Sequence, residues 1–337
     1  MIRNAFMEKL RAVPGVFLEN QIDNTTPSLD FKFIDKFVLR EGVHAADPET
    51  NPGCQTRCKP NMGQGIGCEY TQHCECLEFA AVDEDRLKKN LVRYAQYLEE
   101  KNNGDIVDTQ GLPKRFPYSV PKGNYVPTLS AFYREQRHAI YECTDQCNCG
   151  PVCKTRLVNK GRHVDLTIFK TANRGWGVYC NENLIQGEFI DVYLGEVLTN
   201  EETSKREDQA DVEKGSYLYS LDKFIGDDPQ LTAENCYVVD GQYMGNATRF
   251  INHSCEPNCR QYTVSYNKYD LRVYNLAFFA YEDIPAGTEL TFDYLDRDEE
   301  EEEDVLRKRE EAMKDPENED KRPCNCRTSK CRGYLWS

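Results

Sequence analysis

A chain of 337 residues can hold one large domain or two modest ones, and 39% hydrophobic with 11% aromatic residues indicates a globular chain with a buried core. A formal net charge of −15 argues against broad phosphate-backbone contact, which takes clustered Lys and Arg, and suits a basic partner such as a Lys/Arg-rich tail. No run of about 18 apolar residues occurs and residues 1–10 lack a signal-peptide core, so the expectation is no membrane span and a reducing compartment, where clustered cysteines mean metal.

Residues 31–34 and 37–39 predict a strand pair within an N-terminal segment, 1–50. A first cysteine cluster follows, Cys54, Cys58, Cys68, Cys74, Cys76, Cys143, Cys147, Cys149 and Cys153, split by an insert over 77–142. Within the insert Leu87, Leu91, Tyr94, Tyr97 and Leu98 recur at helical spacing, which predicts one amphipathic helix over about 83–101. Pro113, Pro117, Pro121, Gly123 and Pro127 then break the chain into a loop.

From about 157 to 295 short β-branched and aromatic runs (166–169, 189–194, 237–240, 271–274, 276–280) alternate with glycines. This pattern predicts a mostly β domain of several small sheets, with one helix over about 200–209 opened by Asn-Glu-Glu. Between 296 and 322, fourteen Asp/Glu stand against seven Lys/Arg, the composition of a solvated linker. Its lysines Lys308, Lys314 and Lys321 leave three readings open: a passive tether, an acidic lure for a basic substrate, or a loop that blocks the site.

Nine thiolates serve three tetrahedral zincs if three sulfurs bridge, which leaves no open position and makes the cluster structural. Cys324, Cys326 and Cys331 near the C-terminus are one ligand short of a further site, and Cys255 is the candidate fourth. The expectation is four zincs, with Cys180, Cys236 and Cys259 left as thiols. A zinc at Cys255 would pin the tail beside Asn252 and His253, two side chains able to hydrogen-bond a polar cofactor on fixed geometry. Arg174-Gly175-Trp176-Gly177-Val178 either lets a ligand approach the backbone or is a tight turn with a core Trp. Glu289-Leu290-Thr291-Phe292-Asp293-Tyr294 alternates as a strand does.

In order, Gly175-Trp176-Gly177, Tyr193-Leu194-Gly195-Glu196, the run Arg249-Phe250-Ile251-Asn252-His253-Ser254-Cys255-Glu256-Pro257-Asn258, the 289–294 strand and Cys324-x-Cys326-x4-Cys331-Arg332-Gly333 resemble the motifs of SET-domain protein lysine methyltransferases. The nine-cysteine pre-SET and three-cysteine post-SET segments narrow the resemblance to the suppressor-of-variegation group of fungal type, which methylates lysine 9 of histone H3. Cys54-x3-Cys58 is wider than the expected opening pair, and the insert and the acidic linker are departures.

The resemblance implies a mostly β fold with few helices: small curved sheets with a pseudo-knot, in which the Asn252-His253 segment passes beside the Tyr294 strand. It divides the chain into an N-terminal segment (1–50), a pre-SET triangular zinc cluster (51–156), the SET domain (157–296), an acidic linker (297–320) and the post-SET (321–337). S-adenosyl-L-methionine would be held by Arg174, Gly175, Trp176, Tyr217, Arg249, Asn252 and His253, with Trp336 covering it. Tyr294, Tyr217 and Phe292 would line the substrate lysine channel, Phe292 favouring a trimethyl product. The implied substrate is the histone H3 N-terminal tail, in the nucleus on chromosomes, with heterochromatin formation, gene silencing and partner silencing factors. No membrane and no sequence-specific nucleic-acid contact are expected. An inactive zinc-stabilised chromatin-binding module, or a methyltransferase for another lysine, is the alternative.

Overall fold

Short β-branched and aromatic runs between turn residues set the architecture. The computed structural model describes residues 2–47, 53–55, 58–59, 68, 70–103, 107–209, 217–296, 323–333 and 335, and within them the strands form six small sheets. The acidic linker and Trp336 lie outside the described residues. Among the described residues no helix is long and apolar enough to cross a membrane.

The central sheet orders Ile140–Tyr141, Cys259–Ser265, Asn275–Ala280 and Phe189–Tyr193. Neighbouring residues of a strand face opposite ways, and this sheet is buried on both faces. Phe278 packs on one side against Phe292, ring centroids 4.9 Å apart, while Phe279 packs on the other against Phe189 and Tyr262. Both phenylalanines are fully buried, which fixes the wall behind the site. A second four-stranded sheet runs Leu218–Ser220, Val238–Asp240, Glu196–Leu198, Val38–Leu39, with Leu218–Ser220 at its edge. The helix Asn200–Gln209 is tied to this sheet through Arg206, which pairs with Glu196 at 3.1 Å and Asp240 at 2.8 Å.

The feature that organises the site is a parallel pairing of Asn252–His253 with Thr291–Phe292. Asn258 stitches the crossing from the other end. Its Oδ1 accepts from the Thr291 amide at 2.8 Å and its Nδ2 donates to the Glu289 carbonyl at 2.9 Å. The segment 252–258 is thereby held against 289–292 at both ends.

Three sequence expectations need correction. Residues 31–39 do not pair with each other: Lys32–Phe33 pairs with Met244–Gly245 and Val38–Leu39 with Glu196–Leu198, so the segment serves two sheets. The single insert helix is two, Glu84–Leu87 and Leu91–Asn102. Asp83 and Asn90 each accept a backbone N–H three residues on, and the second cap restarts the helix and leaves Leu91 76% exposed. Leu87, Tyr97 and Leu112 then form a small core of their own. Residues 271–274 form no strand, because the Asp270 carboxylate captures the Arg272 and Val273 amides, each at 3.0 Å.

Candidate active site and its cysteine clusters

None of the sixteen cysteines is in a disulfide, and the nine of the first cluster are buried. Cys54, Cys68 and Cys143 form a sulfur triangle with sides of 3.6, 3.6 and 3.5 Å. Around it lie three overlapping tetrads: Cys54, Cys58, Cys68, Cys74; Cys54, Cys76, Cys143, Cys147; and Cys54, Cys68, Cys143, Cys149. Cys153 joins the third through Thr155, whose hydroxyl lies 3.2 Å from its sulfur and donates to Cys143 at 3.0 Å. A tetrahedral ion with Zn–S of about 2.3 Å requires S···S edges of about 3.8 Å, so these spacings fit zinc. Despite its wider spacing, Cys58 joins Cys54 in one tetrad. Arg156 places its guanidinium 3.4 Å from the Cys149 sulfur, a cation that would offset the charge of metal-bound thiolates.

The second tetrad, Cys255, Cys324, Cys326 and Cys331, brings the tail to the Asn-His segment. Two further contacts set its angle. Glu256 accepts from the Lys330 amide at 3.0 Å, and Arg332 forks onto Asp293 at 2.6 and 2.7 Å. Burial alone would raise the Asp293 carboxyl, but the Arg332 guanidinium holds it below its ordinary value.

His253 links this tail to the catalytic strand. Its Nδ1 accepts the Tyr294 backbone N–H at 3.1 Å, so the ring proton belongs on Nε2, which lies 3.3 Å from the Cys255 sulfur. Tyr294 is anchored at both ends, its hydroxyl donating to the Ile251 carbonyl at 3.0 Å. Burial pushes that hydroxyl well above the usual tyrosine range.

Arg174, Gly175, Trp176, Asn252 and His253 gather on one side through Glu289. The Glu289 carboxylate pairs with Arg174 and accepts from Asn252 Nδ2 at 2.8 Å, while Asn252 also donates to the Trp176 carbonyl at 3.1 Å. A Cβ on Gly177 would sit 2.7 Å from the Glu289 carboxylate, so only glycine leaves that acid its place. Gly175 adopts φ +69° with open space where a side chain would project, a bare backbone face against which a ligand can lie. Tyr217 and Arg249 stack on each other, the guanidinium 4.0 Å from the ring centre. They line a cavity of about 280 Å³ together with Tyr193, Tyr219, Phe292 and Tyr294.

A second depression of about 360 Å³ shares Tyr219 and Tyr294 with the cavity and is bounded by Ser220, Asp222, Gln261, Thr263 and Asp296. Sequence reasoning gave no role to Glu289, Tyr193 or Tyr219. Glu289 and Tyr193 lie inside recognised motifs; Tyr219 carries no local signal.

Comparison with known proteins places this geometry. The Pre-SET motif family matches residues 8–156 and the SET domain family residues 175–295. The histone-lysine N-methyltransferase, H3 lysine-9 specific dim-5 of Neurospora crassa is 36% identical over 326 residues, 95% of this chain and 88% of that protein. The H3 lysine-9 specific enzyme KMT1 of Fusarium mangiferae is 33% identical, over 96% of this chain and 88% of its own. The solved structure of the Neurospora SET domain protein DIM-5 superposes with a TM-score of 0.67 over 84% of this chain and 95% of that one, at 33% identity. The fold is the SET-domain fold, mostly sheet with few helices. The chain belongs to the pre-SET and SET-domain family of histone-lysine N-methyltransferases, whose general reaction moves a methyl group from S-adenosylmethionine to a lysine ε-amine.

Proposed function

We propose that this chain methylates lysine 9 of the histone H3 N-terminal tail, to the trimethyl state, on chromosomes in the nucleus, where the mark supports heterochromatin formation and gene silencing. The reading rests on one observation above others. The aromatic cavity around Tyr294 shares its wall with a depression bounded by Leu218–Ser220, an edge strand, and by Asp222 and Asp296. An extended peptide can add to that edge through its backbone while its lysine enters the cavity, in a depression where Arg137, paired with Asp296 at 2.6 Å, and Lys223 stand beside the acids.

In this reading Arg174, Gly175, Trp176, Tyr217, Arg249, Asn252 and His253 hold the cofactor, which supplies an electrophilic methyl on a sulfonium when bound. Four zincs serve structure, three among the nine cysteines and one at Cys255, Cys324, Cys326 and Cys331. The pre-SET cluster (51–156), catalytic domain (157–296), acidic linker (297–320) and post-SET (321–337) are the working units.

The chemistry of the residues follows from their anchoring. Only a neutral amine attacks, and a free lysine titrates near 10.4. A cavity walled mainly by aromatic rings disfavours the ammonium by desolvation; the Arg249 cation adds like-charge repulsion, which the Glu207 carboxylate at its rim opposes. With its proton committed to Ile251, the Tyr294 oxygen presents lone pairs that accept an amine N–H and so aim the nitrogen lone pair. Since burial raises Tyr294 above its ordinary value, its hydroxyl stays protonated across the working range and imposes no falling limb there. The rate is expected to climb with pH into the alkaline range as the substrate amine loses its proton. A bell centred near pH 6.5, measured as kcat/KM, would instead make a histidine the base.

Phe292 is buried against Tyr294, centroids 4.8 Å apart, and brings no oxygen to the cavity. Phe292→Tyr is expected to shift product from trimethyl towards mono- and dimethyl-lysine, measured by mass spectrometry; an unshifted product refutes the trimethyl assignment. Methyl transfer to a panel of histone-tail peptides tests the function as a whole. Preference for H3 peptides that is lost when lysine 9 is replaced by arginine is the expected result. Transfer to other lysines, or to none, rejects it.

A further inference from the structure

Among the described residues, three that are not glycine adopt a left-handed backbone: Arg137 at φ +47°, Asp296 at φ +45° and Arg327 at φ +59°. The first two are partners, 159 positions apart in the chain. Arg137 Nη2 lies 2.6 Å from each oxygen of the Asp296 carboxylate and donates to the Gln261 carbonyl at 3.2 Å, while Nη1 donates to the Asp296 carbonyl at 3.3 Å. A strained backbone persists only where its surroundings over-determine it, and here each strained residue is held by the other. The Arg137 side chain is 14% exposed, so the pair is screened less than an ion pair on the open surface.

Both partners have a firm base. Arg137 closes the helix Ala131–Gln136, its amide donating to the Tyr133 carbonyl at 3.1 Å. That helix is fixed by the fully buried Tyr133 ring and by the Tyr262 hydroxyl, which donates to the Arg134 carbonyl at 3.2 Å. Asp296 ends a turn, its amide donating to the Asp293 carbonyl at 3.0 Å. Both partners line the peptide-side depression together with Leu295 and the edge strand Leu218–Ser220. Tyr294 has anchors of its own at His253 and Ile251, so the clasp governs the chain beyond it, residues 295–296.

We propose that Arg137, a residue of the insert, is a positioning residue for the substrate peptide: acting through Asp296, it holds residues 295–296 at the distance from Leu218–Ser220 that an extended peptide requires. The inference rests on the substrate reading above, which seats the peptide in this depression. A peptide that pairs with an edge strand must lie about 4.8 Å from it, so a displaced wall is felt as lost affinity. Once the peptide is bound, the amine is still aimed by Tyr294. The loss therefore falls on the peptide KM and spares kcat.

The test is steady-state kinetics of the full zinc-loaded chain, with an H3 tail peptide and S-adenosylmethionine varied separately. Arg137→Gln is expected to raise the peptide KM roughly tenfold, about what the loss of one charge-assisted hydrogen bond amounts to. A general loosening of the fold would move every parameter. Here kcat at saturating peptide, the KM for S-adenosylmethionine, zinc content and melting temperature are expected to stay close to the parent. Asp296→Asn supplies a second arm: it keeps a residue type that tolerates the left-handed region, removes the charge, and is expected to raise the peptide KM as well. Because one residue acts through the other, the combined variant is expected to raise it by less than the product of the two single effects. A combined effect equal to that product, an unchanged peptide KM in Arg137→Gln, or a loss confined to kcat overturns the proposal and leaves the substrate assignment standing. A wild-type chain that methylates no H3 peptide overturns both.

Discussion

Tyr294→Phe is expected to lower the methyl-transfer rate by roughly 10²–10³-fold, the usual cost of removing one preorganised polar group from a reacting centre. The geometry makes the change clean. The backbone amide of Tyr294 still donates to His253, and the ring still packs on Phe292, so the strand keeps its place. What disappears is the oxygen that Ile251 fixes in place to aim the amine. The loss falls on kcat, with zinc content and melting temperature close to the parent. A fall of less than tenfold would mean that shape and desolvation alone orient the nucleophile.

Zinc removal is expected to abolish activity by unfolding the chain. Metal binding is folding free energy in clusters of this kind, on the order of 10 kcal/mol for a structural site. Elemental analysis of the active protein is expected to give four zincs. The overlap of the tetrads makes a sharper contrast. Cys143 belongs to two tetrads and to the sulfur triangle, whereas Cys58 belongs to one. Cys143→Ser should release more than one zinc per chain and lower the melting temperature further than Cys58→Ser does. Equal losses from the two variants, or full activity in a zinc-free preparation, would refute the shared-sulfur architecture.

Much of this was legible in the sequence because it is local. Cysteine spacing, the Asn-His pair and the alternation of 289–294 are short-range signals, and the fold gathers the cysteines into tetrads and sets Asn252–His253 beside Thr291–Phe292. The helix Asn200–Gln209 was equally plain, since its acidic first turn is a local start signal. What stayed hidden depends on partners far away in the chain. Nothing near 31–39 reveals that its two short strands join different sheets, because each pairs with residues more than 150 positions on. The run 271–274 has strand composition, yet one neighbouring aspartate outcompetes the ladder for its amides. Glu289 looked like an ordinary strand residue until the fold set Arg174 and Asn252 against it. Tyr219 could not be singled out, since its place between the cavity and the depression is defined only by three-dimensional surroundings.

The insert over 77–142 begins and ends at two cysteines of one cluster, Cys76 and Cys143, which share a tetrad. In polymer terms it is a ring sewn shut at its neck, and it also leans on the catalytic domain: Ile140–Tyr141 joins the central sheet, and Leu129 and Tyr133 share a buried cluster with Phe189 and Phe279. Closing such a ring depends on its length logarithmically, about 0.6 kcal/mol for each doubling. Only the stretches of the insert away from these contacts, such as Leu91–Asn102, can therefore change length at small cost to the catalytic domain. A backbone break at the loop tip is then expected to be tolerated: Tyr125, 97% exposed, lies where a protease would cut, and the pieces on either side stay packed on the catalytic domain through residues such as Tyr118 and Tyr133.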